Sequence, residues 1–210
     1  MMIIPAILEQ STDAFIKRIH ELSPYFSRMH IDIADGQFVP NKTIQIKDIR
    51  ETINNHQPTI SHITFDFHLM VHDYTQELIH LQQLTSHITI GTIFIHLAPF
   101  LNYQLLITHY QYGLVLNPEE SVSANWETIK QFKIVQLMTV NPGFQGAPFI
   151  PSVLRKIEEL KNLGYEGKIA LDGGINDKTL APIMENPSKP DILCIGSFFK
   201  RKHRGKTSYF

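Results

Sequence analysis

The chain has 210 residues, 43% hydrophobic and 19% charged, enough for one well-buried domain and short for two. A formal net charge of −1 provides no global field to attract nucleic acid or an anionic membrane, and no apolar run approaches the ~20 residues that a membrane helix needs. The only cysteine, Cys194, lies inside an apolar run, which excludes a disulfide framework; the opening MMIIPAIL lacks the basic flank of a secretory signal, so a soluble, cytoplasmic, single-domain protein over residues 1–210 is expected.

Taken in chain order, β-prone runs fall near Ile3–Leu8, Arg28–Ala34, Ile63–Val71, Gly91–Ala98, Tyr112–Leu116, Ile134–Val140, Lys168–Asp172 and Asp191–Ser197. Helical spacing fills the gaps. Thr12–Leu22 follows Ser11 as a candidate cap, Asp73–Leu84 and Ser121–Lys130 are amphipathic, and Phe149–Leu163 carries Ile150, Val153, Ile157 and Leu160 on one stripe. Alternating strands and helices imply parallel strands, because parallel neighbours need a helical crossover. Eight such strands with about seven helices suggest a closed (β/α)8 TIM barrel, although the count alone also fits a doubly wound open sheet.

In a barrel, inward side chains late in a strand meet substrate at the C-terminal rim. The stretch MHIDIADGQFVPN puts Met29, Ile31 and Ile33 on one strand face and His30, Asp32 and Ala34 on the other. Asp66, His68 and Met70 share the polar face of the third strand, and Asp172 ends the seventh facing inward. Convergence of His30, Asp32, His68 and Asp172 would make a ligand set for zinc, iron(II), manganese or cobalt. Any one histidine alone reads more readily as a hydrogen-bonded interior residue; four at consistent parity bring a metal site level with that reading. Other histidines, such as His20, His56 and His80, read as solvated surface residues. Glycines form a second signal. NPGFQG follows strand six, DGG ends strand seven and Gly196-Ser197 ends strand eight, the order of a rim that offers backbone N–H groups to a phosphate.

Together these stretches resemble the ribulose-phosphate 3-epimerase family. HIDIADGQFVPN resembles its H-[LIV]-D-[LIV]-M-D-G-x-F-V-P-N, DFHLMV its D-x-H-L-M-V, and MTVNPGFQGAPFIPSVLRKI its M-[ST]-V-x-P-G-F-G-G-Q-x-F stretch, with LDGGIN and IGSFF matching the last rim motifs. The resemblance implies one divalent metal ion on His30, Asp32, His68 and Asp172, with Asp32 and Asp172 as the catalytic acid–base pair and no organic cofactor. It implies 3-epimerisation of D-ribulose 5-phosphate to D-xylulose 5-phosphate, a pentose phosphate pathway reaction, through a metal-stabilised enediolate. Substrate contacts would fall to His68, Met70, Met138, Gly143, Phe144, Gln145, Gly146, Gly173, Gly174, Gly196 and Ser197. Partners would be a small phosphorylated ketose and further copies of the chain in a homo-oligomer, with no nucleic acid and no membrane.

The match has departures. Ala6 replaces a serine, Ala34 a methionine, Gln145 and Ala147 a glycine and a glutamine, and Ala98 a frequent glutamate. These leave room for a six-carbon ketose phosphate such as allulose 6-phosphate, or for a barrel that binds without turnover. Asp66-Phe67-His68 lacks the lysine of the D-x-K-x-x-D motif of decarboxylase relatives. After Phe199 the short basic tail, residues 200–210, suggests that an eighth helix is missing or rudimentary, which would expose an apolar strip outside strands eight and one.

Overall fold

A computed structural model describes residues 1–54, 60–84, 86–103, 109–143 and 146–196. Eight strands run β1 Met2–Ile7, β2 Arg28–Ala34, β3 Thr64–Met70, β4 Thr89–His96, β5 Gln111–Leu116, β6 Ile134–Met138, β7 Lys168–Asp172 and β8 Ile192–Ile195. All neighbours pair in parallel, and β1 pairs with β8 to close the barrel. Among the described residues seven α-helices separate them: α1 Thr12–Leu22, α2 Ile46–Asn54, α3 Tyr74–Leu84, α4 Leu97–Tyr103, α5 Trp126–Ile129, α6 Arg155–Asn162 and α7 Asp177–Glu185. The open-sheet alternative is thereby excluded.

Local chemistry accounts for these elements. Ser11 caps α1 by accepting the Ala14 N–H, and Phe15, Ile16, Ile19 and Leu22 then recur on its buried face. Asn176 and Thr179 form a reciprocal capping box at the start of α7. Met29, Ile31, Ile33, Phe65, Phe67, Leu69 and Leu171 join the apolar layer between strands and helices, while Ile4, Ala6, Ala170, Ile192 and Cys194 fill part of the barrel interior. Strand parity therefore sorts side chains between two separate cores.

Several expectations need correction. The fourth strand stops at His96, and Leu97-Ala98 already begins α4, whose first turn accommodates Pro99 because the N–H groups there lack helical partners anyway. The segment expected to be helical over Ser121–Lys130 is a 3-10 turn, Ser123–Asn125, followed by a single α-turn; the Asn125 side-chain amide donates to the Ser121 carbonyl that a helix would give to the Asn125 backbone N–H, which donates to Val122 instead. His80 is half-buried and pairs with Glu77 at 3.4 Å rather than standing free, whereas His56 lies outside the described residues. No helix follows β8 among the described residues, and residues 197–210 lie outside them. Of the apolar strip expected outside strands eight and one, the β8 part does not appear among the described residues, since its outward Leu193 and Ile195 are buried in the outer core with Ile7, while Ile3 on β1 is partly buried.

Candidate metal and proton-transfer site

The barrel closes His30, Asp32, His68 and Asp172 into one buried group, with a ligand atom of each within 4.8 Å of all the others. Register explains this meeting. Asp32 on β2 sits beside His68 on β3, and Asp172 ends β7 across β8 and β1. The loop after β2 is tied back onto the strand: Thr43 Oγ1 donates to the Asp32 carbonyl and accepts the Ala34 N–H. Asp35 fastens that loop to the end of β3, accepting from the backbone N–H groups of Gln37, Phe38 and His72.

Within the group, His68 Nδ1 lies 2.9 Å from Asp32 Oδ1 and 3.3 Å from Asp172 Oδ2. His30 Nε2 lies 3.7 Å and 3.8 Å from the same two carboxylates, too far to hydrogen-bond. Both of its ring nitrogens are buried without a hydrogen-bond partner. Burial works to lower the pKa of His68, but its hydrogen bonds to Asp172 and Asp32, and their charges, hold it up at about 9. Burial, reinforced by the neighbouring Asp172, pushes the Asp32 carboxyl up. Two carboxylates and an unpartnered imidazole in one buried group form a set that a divalent cation would complete, so the residues present fit the implied metal.

Above this group a cleft opens at the C-terminal rim. Its walls include Asp32, His68, Met70, Met138, Gly143, Gly146, Asp172, Gly173, Gly174 and Gly196, every described residue expected to touch substrate. His30 does not reach the cleft lining and supports the floor. Phe144, Gln145 and Ser197 lie outside the described residues. Gly173 and Gly174 have φ of 108° and 65°, and a Cβ on Gly173 would sit 2.4 Å from Val140 Cγ2. That rim turn therefore demands glycine. Ala6 lines the cleft and Ala34 packs behind it with Val39 and Met70, whereas Ala98 is exposed at the start of α4 and is not part of the lining.

Two residues not assigned a role from the sequence stand next to the ligands. Gln136 Nε2 donates to Asp172 Oδ2 at 3.0 Å, while its Oε1 is buried without a partner. His96 Nε2 stands 2.9 Å from His68 Nε2. Both could have been found by parity, since Ile134, Gln136 and Met138 alternate inward on β6, as do Thr92, Phe94 and His96 on β4. Asp66 shares the parity of His68 but not its site. Arg28 holds it by a two-pronged contact at 2.7 and 2.8 Å, with Thr92 N donating at 2.6 Å.

Fold and site together define a (β/α)8 barrel with a His/Asp group of metal-binding geometry beneath a glycine-lined rim. The chain belongs to the ribulose-phosphate 3 epimerase family, whose model matches residues 2–199. It is 33% identical over 180 residues to a ribulose-phosphate 3-epimerase of Bacillus subtilis, covering 80% of this chain and 77% of the relative. It is 30% identical over 204 residues to one of Methanocaldococcus jannaschii, covering 92% and 80%. These relatives mark the chain as an enzyme of the epimerase class. A tryptophan synthase complex structure from Pyrococcus furiosus shares the fold alone, with a TM-score of 0.61 at 10% identity over 95% of this chain and 88% of that one. No helix among the described residues is long and apolar enough to cross a membrane.

Proposed function

We infer that the protein inverts C3 of a phosphorylated ketose, interconverting D-ribulose 5-phosphate and D-xylulose 5-phosphate, with Asp32 and Asp172 as the two proton handlers. The observation that carries this reading is the pair of buried carboxylates reaching one cleft from β2 and β7, bridged by His68. Inversion beside a ketone requires a proton taken from one face of the carbon and another delivered to the opposite face. One carboxylate removes the C3 proton; the other returns one. A single base would restore the starting isomer.

His30, Asp32, His68 and Asp172 would hold one divalent ion, zinc, iron(II), manganese or cobalt. Bound there, the ion supplies positive charge against the oxygens of an enediolate. Met70 and Met138 give the cleft a polarizable wall that excludes water. Backbone N–H groups at Gly143–Gly146, Gly173–Gly174 and Gly196–Ser197 would seat the phosphate as oriented dipoles, since none of these motifs contains a lysine or arginine. Ala6 in the cleft lining supports a second substrate of the same chemistry, a six-carbon ketose phosphate such as allulose 6-phosphate. Cytoplasmic residence and self-association belong to the same proposal, the latter read by sedimentation at micromolar concentration.

The test is turnover of each ketose phosphate in D2O by wild type, Asp32→Asn and Asp172→Asn. Wild type should epimerise with deuterium entering C3. Each variant should lose net epimerisation, and one that still exchanges the C3 proton marks the surviving carboxylate as an independent proton handler. Near-normal turnover in both variants would rule the mechanism out.

A further inference from the structure

We propose that His96 is a positioning residue that fixes His68 as its Nε2–H tautomer and so leaves His68 Nδ1 free to hold the divalent ion. The inference rests on the metal reading above and goes beyond it, because His96 touches neither the cleft nor the ligand group except through His68.

The geometry has few solutions. His68 turns Nδ1 toward Asp32 and Asp172 and Nε2 toward His96 Nε2, at 2.9 Å. A ligating nitrogen must present a bare lone pair, so His68 Nδ1 carries no proton when it holds the ion, and its proton sits on Nε2. Two imidazole nitrogens at hydrogen-bonding distance share one proton; with His68 donating, His96 Nε2 must accept and His96 must carry its own proton on Nδ1. Both rings are fully buried, so water does not offer an alternative partner. Phe38 packs on the His96 ring with centroids 4.7 Å apart, which limits its rotation, and the two imidazoles meet nearly edge to edge, their centroids 5.0 Å apart and their planes 24° from parallel.

Metal-ligating histidines usually donate their second N–H to a carboxylate, a carbonyl or water. Here the acceptor is a neutral imidazole. A neutral acceptor fixes the tautomer without adding negative charge to a floor that already holds Asp32 and Asp172.

Two substitutions separate acceptor from packing. His96→Phe keeps a ring against Phe38 but cannot accept; His96→Gln restores an acceptor in a side chain of similar reach. Zinc and manganese dissociation constants, measured by chelator competition without substrate, should rise about 10- to 100-fold in His96→Phe. His96→Gln should stay within about threefold of wild type. In zinc-loaded wild type, long-range 1H–15N spectra should show His96 protonated on Nδ1 and His68 on Nε2, a readout independent of whether either variant folds. Wild-type-like affinity in His96→Phe, equal loss in both variants, or a His96 proton on Nε2 would each overturn the proposal. A wild-type protein that binds neither ion would remove the metal reading itself, and this inference with it.

Discussion

Adding one methyl group at Gly113 tests how tightly the barrel interior holds the site. Gly113 lies on β5, and its residue position faces the ring of Phe94 on β4; a Cβ there would stand 2.6 Å from both Phe94 Cδ1 and Cε1 and 3.3 Å from Thr92 Cγ2. Carbon atoms settle at about 3.5–4.0 Å, so the ring must retreat by roughly 1 Å. It has little room. Phe94 is buried in a cluster with Val115, Ile134 and Met138, and its centroid is 5.2 Å from that of His30. Overpacking of this kind costs about 1–3 kcal/mol. At roughly 2–4 °C per kcal/mol for a chain of this size, Gly113→Ala should lower the melting temperature by about 2–12 °C. His30 has no hydrogen bond to resist displacement, so zinc affinity should fall along with stability. Calorimetry and chelator competition read the two effects, and the double variant Gly113→Ala with Phe94→Leu should recover part of both. Unchanged melting and unchanged zinc affinity in Gly113→Ala would refute the claim that Phe94 wedges the ligand floor.

Other outcomes follow from the same geometry. Asp66→Ala strands the Arg28 guanidinium and the Thr92 N–H, and should cost about 3 kcal/mol in denaturant unfolding, the low end for a broken pair because Arg28 is 30% exposed, with zinc affinity unchanged. In metal-free protein both Asp32 and His68 bind protons more tightly when folded, so their contribution to stability is full below their unfolded values of 3.8 and 6.5 and is lost as pH rises, for His68 through about 9. Because the ion replaces those protons, its stabilising increment should grow from pH 6 to 9; an increment flat over that range would contradict the assigned ligands. Gly173→Ala should raise KM for D-ribulose 5-phosphate far more than it lowers zinc affinity, and unphosphorylated D-ribulose should react poorly with either protein.

What could be read from the sequence was whatever depends on parity. Alternation along MHIDIA and DFHLM separates inward from outward side chains before any strand is placed, and the barrel then makes His30, Asp32, His68 and Asp172 meet. Helix ends were less legible. Leu97-Ala98 continues the apolar run of β4, and only the turn containing Pro99 shows that it belongs to α4. Ser121 and Asn125 have helical spacing, but their hydrogen bonding to nearby backbone defeats the long helix that spacing suggests. His96 and Gln136 share that inward parity, but each is the lone polar group of an apolar run, Gln136 in the middle of β6 and His96 at the end of β4, and its partner lies on another strand.

Parity cannot separate Asp66 from Asp32, since both face the interior with β-branched or aromatic neighbours on either side. The difference is the counter-ion. Arg28 stands two residues before His30 on β2, level with Thr64 in register, and turns to meet Asp66 with two hydrogen bonds. That carboxylate is neutralised within the fold. Among the described residues no lysine or arginine pairs with Asp32 or Asp172, and His68 is the one basic group within hydrogen-bonding reach of both. Two buried carboxylates against one imidazole leave the upper layer short of positive charge whenever both are ionised, a deficit that folding alone does not relieve. A divalent ion held by these residues would relieve it and would also free His68 of its second proton. The interior thus divides into a lower layer whose charge is complete without a ligand and an upper layer whose charge a bound cation would complete, and the candidate cleft opens over the second.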